Sequence, residues 1–217
     1  NSGHEVSVYD EDSITPALVL ENNIFSMIRG NYALQVLQQL ERSGALVINN
    51  TKGVKNCYRA RLAELLPKAG LPVPKGIVVP TASLKTDLSM VVNPKNFNVW
   101  LKRGDVHAIH REDITLVHSE DELYSVLQEY RRRGIDEAVI QQHIPGPTIK
   151  FYAVRGTGFF HWYYHPGTGE ASFEVAKLKD IAHRCAVALD VDIYGGDAVI
   201  APDGSIWIID LNDWPSF

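Results

Sequence analysis

Apolar positions along the chain switch between two periods, and the switches mark its elements. Residues 1 to 13 are polar and acidic and read as loop. Leu34, Leu37 and Leu40 in "NYALQVLQQLERSG" then recur at three-residue spacing, which predicts an amphipathic helix stopped by Gly44. A short strand, "ALVIN", follows. Val54, Cys57, Tyr58, Arg61, Leu62 and Leu65 in "NTKGVKNCYRARLAELLPKAG" return to helical spacing, with Asn50 or Thr51 as N-cap and Pro67 as a break near the end. "GLPVPKGIVV" leads into a strand.

The middle of the chain carries two strands, "NVWLKRG" and "DITLVHS", on either side of a polar loop from Gly104 to Asp113. Ser119 and Glu122 form a capping box opening the helix "SEDELYSVLQEYRRRG", and Arg131, Arg132 and Arg133 stand where the helix dipole favours cations. Beyond it come the strand "EAVIQQHI", the turn "PGP", the strands "TIKFYAVRG" and "GFFHWYYH", and the helix "EVAKLKDIAHRCAVALD". His161, Tyr163 and His165 fall at alternate positions of the "GFFHWYYH" strand, so they either face an acceptor or belong to a half-buried aromatic strand. There is no internal repeat. Strands mixed with helices, in small antiparallel units, predict α+β or α/β architecture.

The last twenty residues of this pattern, "GGDAVIAPDGSIWIIDLNDW", place acids inside two apolar strands. Asp203-Gly204 between such strands signals a hairpin with a type I′ turn. With those two residues at the turn, Ala201 opposes Ile206, Val199 opposes Ile208, and Asp197 opposes Asp210; Asn212 shares the face of Asp210. Like charges directly opposite on a sheet are destabilising, at a Cβ separation of about 4.5–5.5 Å. Two carboxylates and an amide carbonyl make a hard oxygen site suited to Mg²⁺ or Mn²⁺. The alternative is a hairpin end whose acids face water.

Composition narrows the classes. The chain has 217 residues, 45% hydrophobic and 22% charged, which is ordinary globular usage with length for one large domain or two small lobes. A formal net charge of −5 gives no basic footprint for nucleic acid or an anionic membrane. Cys57 and Cys185 lie far apart, without metal or disulfide spacing, so a reducing, cytoplasmic setting is expected. No apolar run reaches the roughly 18 residues of a membrane span. The chain opens on Asn1 rather than Met, so the lack of a leader carries little weight.

Four segments together, from about Asn49 to Asn212, resemble the ATP-grasp superfamily, which includes D-alanine:D-alanine ligase, the glutamate ligases and the inositol trisphosphate kinases. The closing hairpin is similar to the family's metal-binding strand pair. The resemblance implies that Asp197, Asp210 and Asn212 hold Mg²⁺ against ATP, with Asp210 where the family more often has Glu, and it places Ile209 among the nucleotide-binding positions. "VWLKRGD" resembles the strand carrying a phosphate-contacting lysine, here Lys102, with Trp100 lining the adenine pocket. In "YRARLAELLPKAGLPVPK" Arg59 takes the place of a basic phosphate ligand near a helix start, commonly Lys in the family; Arg is permanently charged and bidentate. "VIQQHIPGPTIKFYAV" is similar to the hinge beside adenine, formed here by Gln141, Gln142, His143 and Ile144. The ribose-binding position falls on Thr148 instead of an acid, and Lys150 matches a basic residue facing the transferred phosphate or the acyl substrate.

After Lys102 the family usually has a glycine-rich flap, whereas "RGDVHAIHRED" has only Gly104. His107 and His110 could add phosphate contacts or bind a metal as H-x-x-H, but a plain polar loop explains them better, since no acid or Cys stands nearby at ligand spacing.

What the resemblance implies is an α+β ATP-grasp fold of two α/β lobes holding ATP. Residues 1–50 would be the remnant of an N-terminal α/β domain, 51–137 the central lobe and 138–217 the C-terminal lobe with the metal. The implied activity is an ATP- and Mg²⁺-dependent ligase joining a carboxylate to an amine or thiol through an acylphosphate, with Arg59, Lys102 and Lys150 catalytic. Two alternatives stay open: a small-molecule kinase of the inositol-phosphate type, and a nucleotide-binding module without turnover. The expected partner is a small-molecule or peptide acceptor, without nucleic acid or membrane. A homo-oligomer is compatible with the sequence.

Overall fold

The computed structural model describes residues 3, 5–83, 85–93, 95–105 and 110–215. Near the N-terminus β1 (Asn23–Phe25) pairs in parallel with β2 (Leu46–Ile48), and α1 (Asn31–Arg42) is the crossover between them. The leucine spacing sets α1: Leu34 and Leu37 are fully buried, and Gly44 ends the turn at a φ of 100°. β1 was not legible in the sequence, because in Asn-Ile-Phe only Ile24 faces inward.

The segment expected as one helix is two. Asn50 caps α2 (Thr51–Asn56), its side chain accepting the Gly53 N–H at 2.8 Å. The chain then breaks at Cys57–Tyr58, where Tyr58 is extended (φ −63°, ψ 137°), and α3 (Arg59–Lys68) begins. A tertiary bond competes at the break: the Ala60 N–H donates to the Gly104 carbonyl at 3.0 Å, tying the first turn of α3 to a strand end. Apolar spacing runs unbroken across the junction, which hid it. Pro67 lies inside α3, one residue before its end, and does not interrupt it.

The central sheet has the order β3 (Gly76–Pro80), β6 (Glu137–Gln142), β4 (Val99–Arg103), β5 (Ile114–Val117), all antiparallel. The boundary drawn at 137/138 therefore falls inside β6. One face carries Val79, Leu101, Val117 and Ile140 and buries them against Leu123, Leu127 and Tyr130 of α4 (Glu120–Arg132). Ser119 caps α4 by accepting the Glu122 N–H at 3.2 Å, while Glu122 reaches back to the His118 N–H at 2.8 Å, one residue earlier than a strict capping box. The opposite face presents the cross-strand rows Gly76, Gln141, Trp100, Leu116 and Val78, Val139, Lys102, Ile114.

The third sheet runs β10 (Ile206–Asn212), β9 (Ile193–Ile200), β7 (Thr148–Val154), β8 (Phe160–Tyr164). Its apolar face, with Ile149, Phe151, Ala198 and Leu211, packs on Leu178, Ile181, Cys185 and Leu189 of α5 (Val175–Leu189). Leu62 and Leu66 of α3 join that core, so α3 touches both large sheets. Trp162 and Tyr164 belong to the same side, edge-on to Phe173 at 4.9 and 6.2 Å between ring centres. Among the described residues no helix is long and apolar enough to cross a membrane.

Candidate active site

The hairpin of β9 and β10 is closed by three residues, not two. The Gly204 N–H donates to Ala201 O at 2.8 Å and the Ala201 N–H to Ser205 O at 2.9 Å; Gly204 has φ 79° while Asp203 stays negative. Proline fixes φ near −65°, so Pro202 starts a turn of type I and the expected type I′ is corrected. The first pairs are consequently one residue off the expected register: Ile206 faces Ile200 and Ile208 faces Ala198. A bulge between Ile208 and Asp210 then restores it, and Asp210 faces Asp197.

The polar face of this sheet carries two adjoining cross-strand rows. One is Asp210, Asp197, Lys150, Tyr163; the next is Asn212, Gly195, Tyr152, His161. Lys150 Nζ lies 3.1 Å from Asp197 Oδ1, out of line for a hydrogen bond. From α3, Arg59 Nη2 reaches Asp210 Oδ2 at 3.1 Å, with Arg59 only 4% and Asp210 11% exposed. From the central sheet, Lys102 Nζ donates to the carbonyl of the bulged Ile209 at 2.7 Å. The Tyr152 and Tyr163 hydroxyls are 3.1 Å apart.

Burial sets the electrostatics. It pulls Lys102 down to about 8, with the Arg59 charge acting the same way and Asp210 and Asp197 opposing it. It pushes Asp197 up, with the facing Asp210 adding to the rise and Lys150 resisting it. Asp197 Oδ1 has the Lys150 ammonium beside it, whereas Arg59 Nε and Nη1 and Gln141 Oε1 are buried without a hydrogen-bond partner. Buried polar groups left so are costly, and each of these is a demand for an absent partner.

A cavity of about 250 Å³ opens over the two rows, lined by Arg29, Arg59, Lys150, Tyr152, Asp197, Asp210, Asn212 and Trp214 among others. A smaller gap of about 30 Å³ lies between α3, Lys102, Gln141 and Ile208–Asp210; it holds a water or two but not a purine.

The remaining sequence candidates flank these spaces. Trp100 shares a cross-strand row with Gln141, and its Nε1–H donates to His143 Nδ1 at 3.1 Å. Gln142 donates its N–H to Lys75 O at 2.8 Å, and Ile144 follows on the link to β7. Thr148 is on the polar face of β7 with Lys150, its N–H bound by Thr168 Oγ1 at 3.1 Å. His161 and Tyr163 stand on the site face, whereas His165 lies beyond β8. His107 lies outside the described residues, and His110 gives its N–H to Asp113 at 3.0 Å. Among the described residues no group of three His, Cys, Asp or Glu side chains is placed to hold a metal. Sequence reasoning missed Arg29, Tyr152 and Trp214. Tyr152 was within reach, two residues from Lys150 on one strand; nothing local marked Arg29.

No protein-family model and no curated protein matches the sequence. Solved structures do. A RimK domain protein ATP-grasp from Sphaerobacter thermophilus superposes with a TM-score of 0.70 at 18% identity, over 94% of this chain and 78% of that one. The D-alanine-D-alanine ligase of Coxiella burnetii gives 0.69 at 16% identity, over 88% of this chain and 58% of that one. The fold is that of the ATP-grasp superfamily. The ATP-grasp ligase PsnB, complexed with a phosphomimetic variant of minimal precursor, Mg and ADP, matches with a TM-score of 0.60 at 19% identity, over 86% of this chain and 58% of that one. This chain thus spans 58% of the length of these PsnB and Coxiella ligases.

Within the ATP-grasp fold the residues present fit a magnesium nucleotide. Two carboxylates and an amide are hard oxygen donors of the number Mg²⁺ takes when phosphates complete its shell. The unpartnered Nε and Nη1 of Arg59 and the buried Lys102 amine suit an anion.

Proposed function

We propose that this protein is an ATP- and Mg²⁺-dependent ligase joining a carboxylate to an amine, or less often a thiol, through an acylphosphate. The observation that carries the reading is the row Asp210, Asp197, Lys150 with Arg59 closing its end. Bound Mg-ATP would supply the phosphoryl group and the cation that screens it. Asp197, Asp210 and Asn212 hold the metal; Arg59 and Lys102 bind phosphate oxygens. Trp100, Gln141, Gln142, His143, Ile144 and Ile209 bound the base, and Thr148 the ribose. Lys150, next in the row beyond Asp197, faces the group in transit.

The chain's own cations already sit on its acids: Arg59 on Asp210 and Lys150 on Asp197. With a cation held by Asp197 and Asp210, Arg59 and Lys150 would be free to turn to phosphate, and the charge would stay balanced. Because the gap beside Lys102 is smaller than a purine, base entry also requires the two large sheets to part.

In the chemical step, a substrate carboxylate oxygen bonds to the γ-phosphorus as the bond to the β–γ bridging oxygen breaks. An amine nitrogen then attacks the acyl carbon, phosphate leaves, and the amine proton passes to solvent. Positioned cations stabilise the charge that develops. Supplying the protein with Mg-ATP and pairs of carboxylic acids and amines, and in parallel with polyols, tests this: phosphate released together with a new amide supports the ligase, and a phosphorylated alcohol with no amide formed rejects it in favour of a kinase.

A further inference from the structure

The cavity over the sheet holds one cation that nucleotide chemistry does not use. Of its charged lining residues, Arg59 and Lys150 are each paired with an acid, while the Arg29 guanidinium makes no ion pair or hydrogen bond among the described residues. The residue is exposed, but its backbone is held from both sides. Glu11 Oε1 accepts the Arg29 N–H at 3.2 Å, and the Arg29 carbonyl accepts the Tyr58 hydroxyl at 3.2 Å, immediately before Arg59. An arginine anchored by its backbone, with its side chain on a cavity wall, is suited to bidentate recognition of a carboxylate.

Charge and size narrow what binds there. The two lining acids are assigned to the metal and Arg59 and Lys150 to phosphate, which leaves the Arg29 charge to be met by whatever enters beside the phosphates. The Tyr152 hydroxyl, which is hydrogen-bonded to that of Tyr163 at 3.1 Å, adds a neutral polar group to the same wall. At about 250 Å³ the space is of small-molecule size.

Resting on the ligase reading above, we propose that the acyl substrate carries a second carboxylate, which Arg29 holds while the reacting carboxylate lies over Lys150. The substrate class is a small dicarboxylate or a compound with two carboxylates at a similar reach.

Hydroxylamine replaces the unknown acceptor and tests this. Protein, Mg-ATP and hydroxylamine are combined with monocarboxylates (propionate, butyrate, valerate), with dicarboxylates of matching length (malonate, succinate, glutarate) and with matching phosphono-carboxylates, and hydroxamate is measured. Hydroxamate should form with a dicarboxylate at least about tenfold more efficiently than with its monocarboxylate. Arg29→Met should raise the KM for that dicarboxylate by about ten- to a hundredfold, as expected for a lost charged hydrogen bond, and Arg29→Lys should restore part of it. Mg-ATP affinity of both variants, by calorimetry, should equal that of the parent, which also shows that they fold. Equal use of monocarboxylates, a KM unmoved by Arg29→Met, or preference for the phosphono-carboxylates overturns the proposal and leaves the ligase standing. No hydroxamate from any acid while Mg-ATP still binds overturns both.

Discussion

Asp210 stands directly opposite Asp197 because Ile209 is an extra residue in β10. Without that bulge the three-residue turn would set Asp197 against Ile209 and turn the Asp210 side chain to the other face, since a one-residue slip reverses every side chain of a strand. The same bulge exposes the Ile209 carbonyl that Lys102 binds from the central sheet. One inserted residue therefore pairs the acids and ties the two sheets together beside them.

Asp197→Asn and Asp210→Asn should each weaken Mg-nucleotide binding by more than tenfold while leaving the circular dichroism unchanged, since neither alters core volume. Their stability costs should differ. Asp210 neutralises Arg59, which is only 4% exposed, so Asp210→Asn should cost about 3 kcal/mol. Lys150 is 35% exposed and can turn outward, so Asp197→Asn should cost under about 1 kcal/mol. Denaturant melts and calorimetric titrations with Mg-ATP measure both effects. Undiminished nucleotide affinity in the two variants would remove the proposed metal site.

Lys102 gives the site a pH dependence in the alkaline range. Its folded value of about 8 lies below the ordinary 10.5, so the folded state carries a penalty for the charged amine below pH 8. Between about 8 and 10.5 the unfolded chain holds the proton that the folded chain has lost, and this group's contribution to stability rises with pH across that window. Nucleotide binding should run the opposite way. Phosphate needs the charged amine, so Mg-ATP affinity should fall by up to about tenfold per pH unit above 8. Lys102→Arg, charged throughout, should flatten the profile. Titration at several pH values in two buffers of different ionisation heat reads both the affinity and the proton taken up.

Asp113 anchors the far end of the loop that follows β4. Fully buried, it is bound by Arg103 Nη1 at 3.2 Å, by Arg133 Nη2 and by the His110 N–H at 3.0 Å. Arg103 would keep its two bonds to Asp105, at 2.8 and 3.0 Å, but its Nη1 and the His110 N–H would lose their buried acceptor, so Asp113→Ala should cost about 2–3 kcal/mol. Arg133→Met, at a 25% exposed position, should cost less. Thermal melts of both variants test the order; equal losses would mean that Arg133 supplies as much of the network as Asp113.

Much of this was legible in the sequence where period and chemistry agreed. Leucine spacing gave α1, Ser119 gave the start of α4, and alternation put Asn212 on the face of Asp210. The expected opposition of Asp197 and Asp210 proved correct through two errors that cancel: Pro202 forces a longer turn, and Ile209 absorbs the offset. A bulge leaves no mark in an apolar run such as Ile-Trp-Ile-Ile. The break before Arg59 was hidden likewise, being set by the Ala60 bond to Gly104 from another part of the chain. Arg133 was read from its position as a helix-end cation, and its partner Asp113 could be found only in three dimensions.

The Lys150–Asp197 ion pair makes a prediction in which metal and nucleotide diverge. A divalent ion arriving alone must displace Lys150 from Asp197 with no phosphate to receive the amine. Lys150→Met removes that competitor, so Mn²⁺ without nucleotide should bind the variant several-fold more tightly than the parent. Mn²⁺ with ATP should bind it more weakly, because Lys150 is lost as a phosphate partner. Paramagnetic resonance of free Mn²⁺, titrated with and without ATP, separates the two effects. A variant weaker in both titrations would mean that Lys150 holds Asp197 in its metal-binding position rather than competing for it.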